Sequence, residues 1–235
     1  MKKILIVGII ILSIFLIYLT TIDKKVYYLA LGDQISLGMT KDGYYELSYT
    51  NYIKEYLEEK GKLETYIDDY LTQGYRITDI INDINNNKEI EETKKTLKNA
   101  LIKADLITIS IGTNDIIAKI DNENKLSKID YNKLYKNINE ITNDLDKLLN
   151  LTREYCKEDI ILIGIYINTN NEKLNEIINN ANEKFKETAN KYNITYIDLL
   201  NTLEKKQELN IYLTKEEYKQ LGNTAIDIIN NNLLK

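Results

Sequence analysis

Three short polar loops in this chain carry the residue types from which a reactive or binding site is built. They are Gly32-Asp33-Gln34-Ile35-Ser36, Gln73-Gly74-Tyr75-Arg76 and Gly112-Thr113-Asn114-Asp115. Asp33 and Asp115 offer carboxyl groups for proton transfer. Ser36 offers a hydroxyl, Asn114 a side-chain amide, and Gly74 a backbone that a ligand can approach closely. Taken singly, each loop also fits an ordinary strand-to-helix turn, with glycine at the bend and Asp or Asn as a helix cap. Three of them, each following an extended stretch, point to a shared site.

What is missing narrows the chemistry. The chain has no histidine, and its single cysteine is Cys156. No side chain therefore titrates near neutrality by default, and there is neither an imidazole nor a cysteine cluster for a metal. No metal and no cofactor are expected. The serines are Ser13, Ser36, Ser48, Ser110 and Ser127. Ser13 falls in an apolar N-terminal run and Ser110 inside a strand pattern, so Ser36 is the one that neighbours the polar loops.

The elements that must position these loops alternate regularly. Strand-length runs occupy residues 26–31, 63–71, 105–111, 159–167 and 194–199. Helical spacing links Tyr45, Tyr49, Tyr52, Ile53, Tyr56 and Leu57, and helices are also predicted over 77–84 and 93–103. Leu134, Ile138, Ile141, Leu145 and Leu148 mark one face of a long helix. Leu174, Ile177, Ile178, Ala181 and Phe185 mark another, and Tyr218, Leu221, Ala225, Ile228 and Leu233 a C-terminal one. Five strands separated by helices predict a three-layer α/β domain over residues 26–235, a parallel five-stranded sheet with helices on both faces. In such sheets, sites form at the carboxyl ends of the strands, where the three loops fall.

Residues 4–22 are 19 positions without a charge, preceded by Lys2-Lys3. As a helix they would reach roughly 28 Å, close to the hydrocarbon thickness of a bilayer. The stretch from Tyr18 to Ile22 offers no small-x-small cleavage site. The reading is one uncleaved transmembrane helix within residues 1–25, a single-pass anchor with the domain on the extracytoplasmic side. The chain carries a net charge of −5. Residues 1–25 hold four lysines against Asp23, a net of +3, so the rest carries −8. An acidic body with two arginines, Arg76 and Arg153, excludes nucleic acid as the expected partner.

The segment Leu29-Ala30-Leu31-Gly32-Asp33-Gln34-Ile35-Ser36 resembles the first block of the SGNH (GDSL) hydrolases, which usually reads Gly-Asp-Ser. Gly74 matches the second-block glycine, and Gly112-Thr113-Asn114-Asp115 the third block, Gly-x-Asn-Asp. The resemblance extends over residues 26–235 and implies an SGNH, flavodoxin-like sandwich. It also implies a nucleophile at the position of Gln34 and an oxyanion hole built from that residue's own N–H, the Gly74 N–H and the Asn114 amide. A C-terminal Asp-x-x-His would fall on Leu209-Asn210-Ile211-Tyr212, with Tyr218 on the helix that follows.

The triad positions thus hold Gln34, Leu209 and Tyr212. An amide is no nucleophile, and a phenol with a pKa near 10 is a poor base at neutrality. The resemblance implies a vestigial pocket of Asp33, Gln34, Ser36, Gly74, Arg76, Asn114 and Asp115 in a domain without esterase chemistry. Such a domain would act as a binding or scaffolding module, for a cell-wall glycan or for another membrane or cell-wall protein. The competing expectation is an esterase or deacetylase with a rearranged site, using Ser36 or a water activated by an aspartate.

Overall fold

A computed structural model describes residues 25–120, 129–203 and 209–232. The strands are β1 (Val26–Gly32), β2 (Leu63–Ile67), β3 (Leu106–Ser110), β4 (Asp159–Ile163) and β5 (Thr195–Ile197). They form one sheet in the order β2-β1-β3-β4-β5, and every neighbouring pair is parallel. All five residues of β3 are buried, as a strand covered on both faces requires.

The helices are α1 (Gln34–Leu37), α2 (Tyr49–Glu59), α3 (Ile77–Asn85), α4 (Leu97–Lys103), α5 (Thr113–Ile120), α6 (Tyr131–Tyr155), α7 (Glu172–Lys191), α8 (Leu199–Thr202) and α9 (Lys215–Asn232). α9 packs on α2, while α3, α4, α5 and α7 gather around the long α6. The expected three-layer α/β architecture is present. The chain leaves β1 toward β2 on one side and reaches β3 on the other, so the carboxyl end of β1 is a switch point of the kind where ligand crevices open.

Several boundaries differ from those read off the sequence, each for a local reason. The fourth apolar run stays buried through Ile167, but β4 stops at Ile163. Beyond it, side chains replace the ladder. Asn182 accepts from the Ile165 N–H (2.8 Å) and donates to the Ile165 carbonyl (3.1 Å), and Thr113 Oγ1 accepts from the Tyr166 N–H (3.2 Å). β2 likewise ends at Ile67, and Leu71 keeps only an isolated bridge to Gly32. α4 starts at Leu97 because Thr96 is its extended cap and Lys94 takes a left-handed φ of 55°. The fifth strand ends at Ile197, where Asp198 caps α8. The helix expected from Tyr45 begins at Tyr49, after Ser48 forms a capping box with Asn51.

The proposed membrane anchor, residues 4–22, lies outside the described residues. Among the described residues no helix is long and apolar enough to cross a membrane.

One glycine fixes how β1 meets β3 at the switch point. Gly32 has φ 141°, and a Cβ there would overlap the Ser110 carbonyl oxygen. That carbonyl accepts the Asp33 N–H (3.1 Å), so the close approach is what turns the chain into α1. Gly32→Ala is expected to lower stability by on the order of 3 kcal/mol through backbone strain and steric overlap. Urea denaturation of the variant beside the parent chain measures it.

Candidate functional site

The three polar loops converge at the carboxyl edge of the sheet. Asp33 follows β1 and caps α1, its Oδ1 accepting the Ile35 N–H at 3.1 Å and the Ser110 hydroxyl at 3.4 Å. It is fully buried. Gln34 opens α1, 2% exposed, with its side chain directed to the other two loops.

The second loop is tied to the same strand end, since the Thr72 N–H donates to the Gly32 carbonyl (3.0 Å). Gly74 in that loop has φ 79°, a left-handed conformation that glycine adopts without strain. Next to it, the Tyr75 hydroxyl donates to Asp83 (2.9 Å), and Lys88 Nζ reaches both the Tyr75 oxygen (2.7 Å) and Asp83 (2.9 Å). This three-residue clamp holds the loop against α3. The third loop starts α5 and brings in Asn114 and Asp115. Asp115 Oδ2 accepts the Ile77 N–H (3.2 Å), so it caps the start of α3.

A compact amide network joins the loops. Gln34 Oε1 accepts from Asn114 Nδ2 (2.9 Å) and from the Gly74 N–H (3.3 Å). Gln34 Nε2 donates back to Asn114 Oδ1 (3.1 Å). Asn114 Nδ2 also donates to the Tyr75 carbonyl (2.9 Å) and lies 3.5 Å from Asp33 Oδ2. Because the Gly74 N–H can only donate, the atom facing it must be the amide oxygen, which orients both side-chain amides. Asn114 Nδ2 has two hydrogens, and its two short contacts use both.

The Ser36 hydroxyl is 1% exposed and bonds the Tyr49 hydroxyl (2.9 Å) and the Leu31 carbonyl (3.4 Å) rather than the amide network. Arg76 caps α3 with Asp79, its side chain half exposed, and its charge acts on Asp115. Leu209 and Tyr212 are half-buried on the segment before α9, which pairs with β4's extension through reciprocal Asn168–Asn210 backbone bonds (2.9 and 2.8 Å). The fully buried Tyr218 donates to the Met39 carbonyl (2.8 Å). Burial raises its phenol, and the charges of Asp33 and Tyr212 among others raise it further, so this segment borders the same edge.

Sequence reasoning did not single out Tyr75, whose carbonyl and hydroxyl both hold the site, nor Tyr49 beside Ser36. Tyr75 lies inside the second loop and was legible as a neighbour. Its clamp partners Asp83 and Lys88 follow no period that the sequence displays.

Two carboxyls stand out electrostatically. Burial pushes Asp33 up to about 7, against the opposing effect of the Ile35 N–H and the Ser110 hydroxyl, and the Asp115 charge adds to the rise. Burial pushes Asp115 up to about 6, opposed by the Ile77 N–H and the Arg76 charge. For Asp33 the folded pKa lies above the unfolded value near 4. Between pH 4 and 7 the unfolded chain releases a proton that the folded chain keeps, so stability falls as pH rises through that window. Asparagine caps a helix as well as aspartate does. Asp33→Asn is therefore expected to raise stability at pH 8 by on the order of 3 kcal/mol and to give no gain near pH 4. Thermal denaturation at the two pH values measures the difference.

Comparisons with known proteins follow the same outline. The sequence matches the GDSL-like lipase/acylhydrolase family over residues 28–225. No curated protein matches it. A lipase from a goat rumen metagenome superposes with a TM-score of 0.69 at 17% identity, covering 88% of this chain and 99% of that one. An acetylxylan esterase from Geobacillus stearothermophilus superposes at 0.62 and 18% identity, covering 88% and 95%. An α/β hydrolase from the metagenome of Lake Arreo, Spain, gives 0.59 at 13% identity, covering 87% and 94%. At these identities the likeness is one of fold.

Proposed function

The chain belongs to the GDSL-like lipase/acylhydrolase family, and from that premise we propose that it is a member that binds without hydrolysing. The observation that carries this reading is that no nucleophile–base pair is found among the described residues of the site. Gln34 stands where the family resemblance implies the serine, and there is no histidine anywhere in the chain. Acyl transfer by this route needs an attacking group that can lose a proton and a base that takes it. The members of such a constellation act as a unit, so losing one costs about as much as losing all.

The residues that could substitute are otherwise engaged. Ser36 is buried against Tyr49 and the Leu31 carbonyl. Asp33 and Asp115 each accept a backbone N–H at the start of a helix. The raised pKa values of these two carboxyls are what would favour the second reading, an esterase or deacetylase in which an aspartate activates water.

The proposal extends to setting. The uncharged run 4–22 would tether the domain to the membrane, with the domain outside the cell and its ligand a cell-wall glycan or another surface protein. The acetylxylan esterase with the same fold acts on a decorated glycan, which supports that ligand class for this chain without assigning it.

Full-length chain in detergent micelles, given short acyl esters and acetylated sugars, is expected to show no hydrolysis above the buffer rate. Gln34→Ser alone is expected to stay inactive, because it restores a hydroxyl without a base. Turnover by the parent chain that disappears on Asp115→Asn, Asp33→Asn or Ser36→Ala would replace this reading with the rearranged esterase.

A further inference from the structure

The amide network does more than fill space. Two N–H donors, those of Gly74 and Asn114, meet at one carbonyl oxygen, and one acceptor, Asn114 Oδ1, meets the N–H of the same group. Together they recognise both halves of a carboxamide. Resting on the reading of this domain as one that binds without hydrolysing, we propose that this is a carboxamide-binding site whose resident is the chain's own Gln34, a tethered occupant that an external ligand must displace.

The pattern separates carboxamides from other carbonyl compounds. An ester satisfies the two donors but has no N–H for Asn114 Oδ1, and a site built to accept an N–H discriminates strongly against an analogue lacking one. A carboxylate would set an anionic oxygen against Asn114 Oδ1. It would also lie close to Asp33, whose Oδ2 is 3.5 Å from Asn114 Nδ2. The reciprocal pair with Asn114 needs an N–H cis to the carbonyl, so the ligand class is a neutral primary carboxamide.

The frame around Gln34 is independent of its side chain. The Tyr75–Asp83–Lys88 clamp holds the Gly74 loop, and the Tyr75 carbonyl holds Asn114 through its second hydrogen. Truncating Gln34 to alanine removes Cγ, Cδ, Oε1 and Nε2, the four heavy atoms of acetamide, and leaves the three recognition groups in place.

The test uses the full-length chain and its Gln34→Ala variant, titrated with acetamide, methyl acetate and acetate, with melting temperature and the Gly74 amide resonance as readouts. Gln34→Ala is expected to bind acetamide saturably, at least ten-fold more tightly than the parent chain, and to bind methyl acetate and acetate no better than the parent does. Adding Asn114→Ala to that variant is expected to abolish the acetamide response. Should Gln34→Ala not fold, Gln34→Ser carries the same titration. If neither folds in buffer, recovery of folding by acetamide but not by methyl acetate supports the proposal, and no recovery overturns it. Absence of saturable acetamide binding by a folded variant, or equal binding of methyl acetate, also overturns it.

Discussion

The N–H of Gly74, in an exposed loop residue, and the amide of half-buried Asn114 converge on one point at the carboxyl edge of the sheet, where the buried Gln34 side chain needs donors for its oxygen. In this chain the acceptor is Gln34 Oε1. The rest of the architecture can be read as what it takes to bring those three residues together. Gly32 lets β1 end against β3 and start α1 with Gln34 in its first position. The Thr72 bond to the Gly32 carbonyl delivers the second loop. β3 and Gly112 deliver Asn114 on the first turn of α5. Each loop comes from a different βα connection, so the contact exists only when β2, β1 and β3 are paired.

Burial also governs the acids. Asp33 and Asp115 sit where water is excluded, and both are raised into the range of about 6 to 7. Raised carboxyls in a cleft are a common mark of catalysis, yet here their oxygens cap helices. With an amide at the nucleophile position the groups around the donor pair are neutral, while the two carboxyls beside them still carry negative charge near pH 7 that Arg76 partly offsets. That environment suits a neutral hydrogen-bonding ligand better than the developing oxyanion of acyl transfer, which would need the very donors that Gln34 now uses.

Much of this was legible in the sequence. The five strands and the three loops at their carboxyl ends followed from apolar runs closed by polar turns, and the family blocks were recognisable despite Gln34. Asp33, Gln34, Gly74, Asn114 and Asp115 do meet in space. The sequence could not show how Gln34 is used, because that depends on a distance between residues 40 and 80 positions apart. The resemblance placed Gln34 in a vestigial pocket, whereas its side chain is buried and its oxygen engaged. Ser36 looked adjacent by number, but the helical turn of α1 carries it two residues around to Tyr49. The run to Ile167 read as strand because burial, not hydrogen bonding, sets its composition; Asn182 and Thr113 take over the backbone there.

The most direct measurement is hydrogen exchange of side-chain amides in the full-length chain by NMR. If Gln34 is seated in the donor pair, both Asn114 Nδ2 protons exchange far more slowly than those of exposed asparagines, and a through-space contact links them to the Gln34 amide. Asn114 protons that exchange at the free-amide rate, with Gln34 averaging among rotamers, would contradict the account.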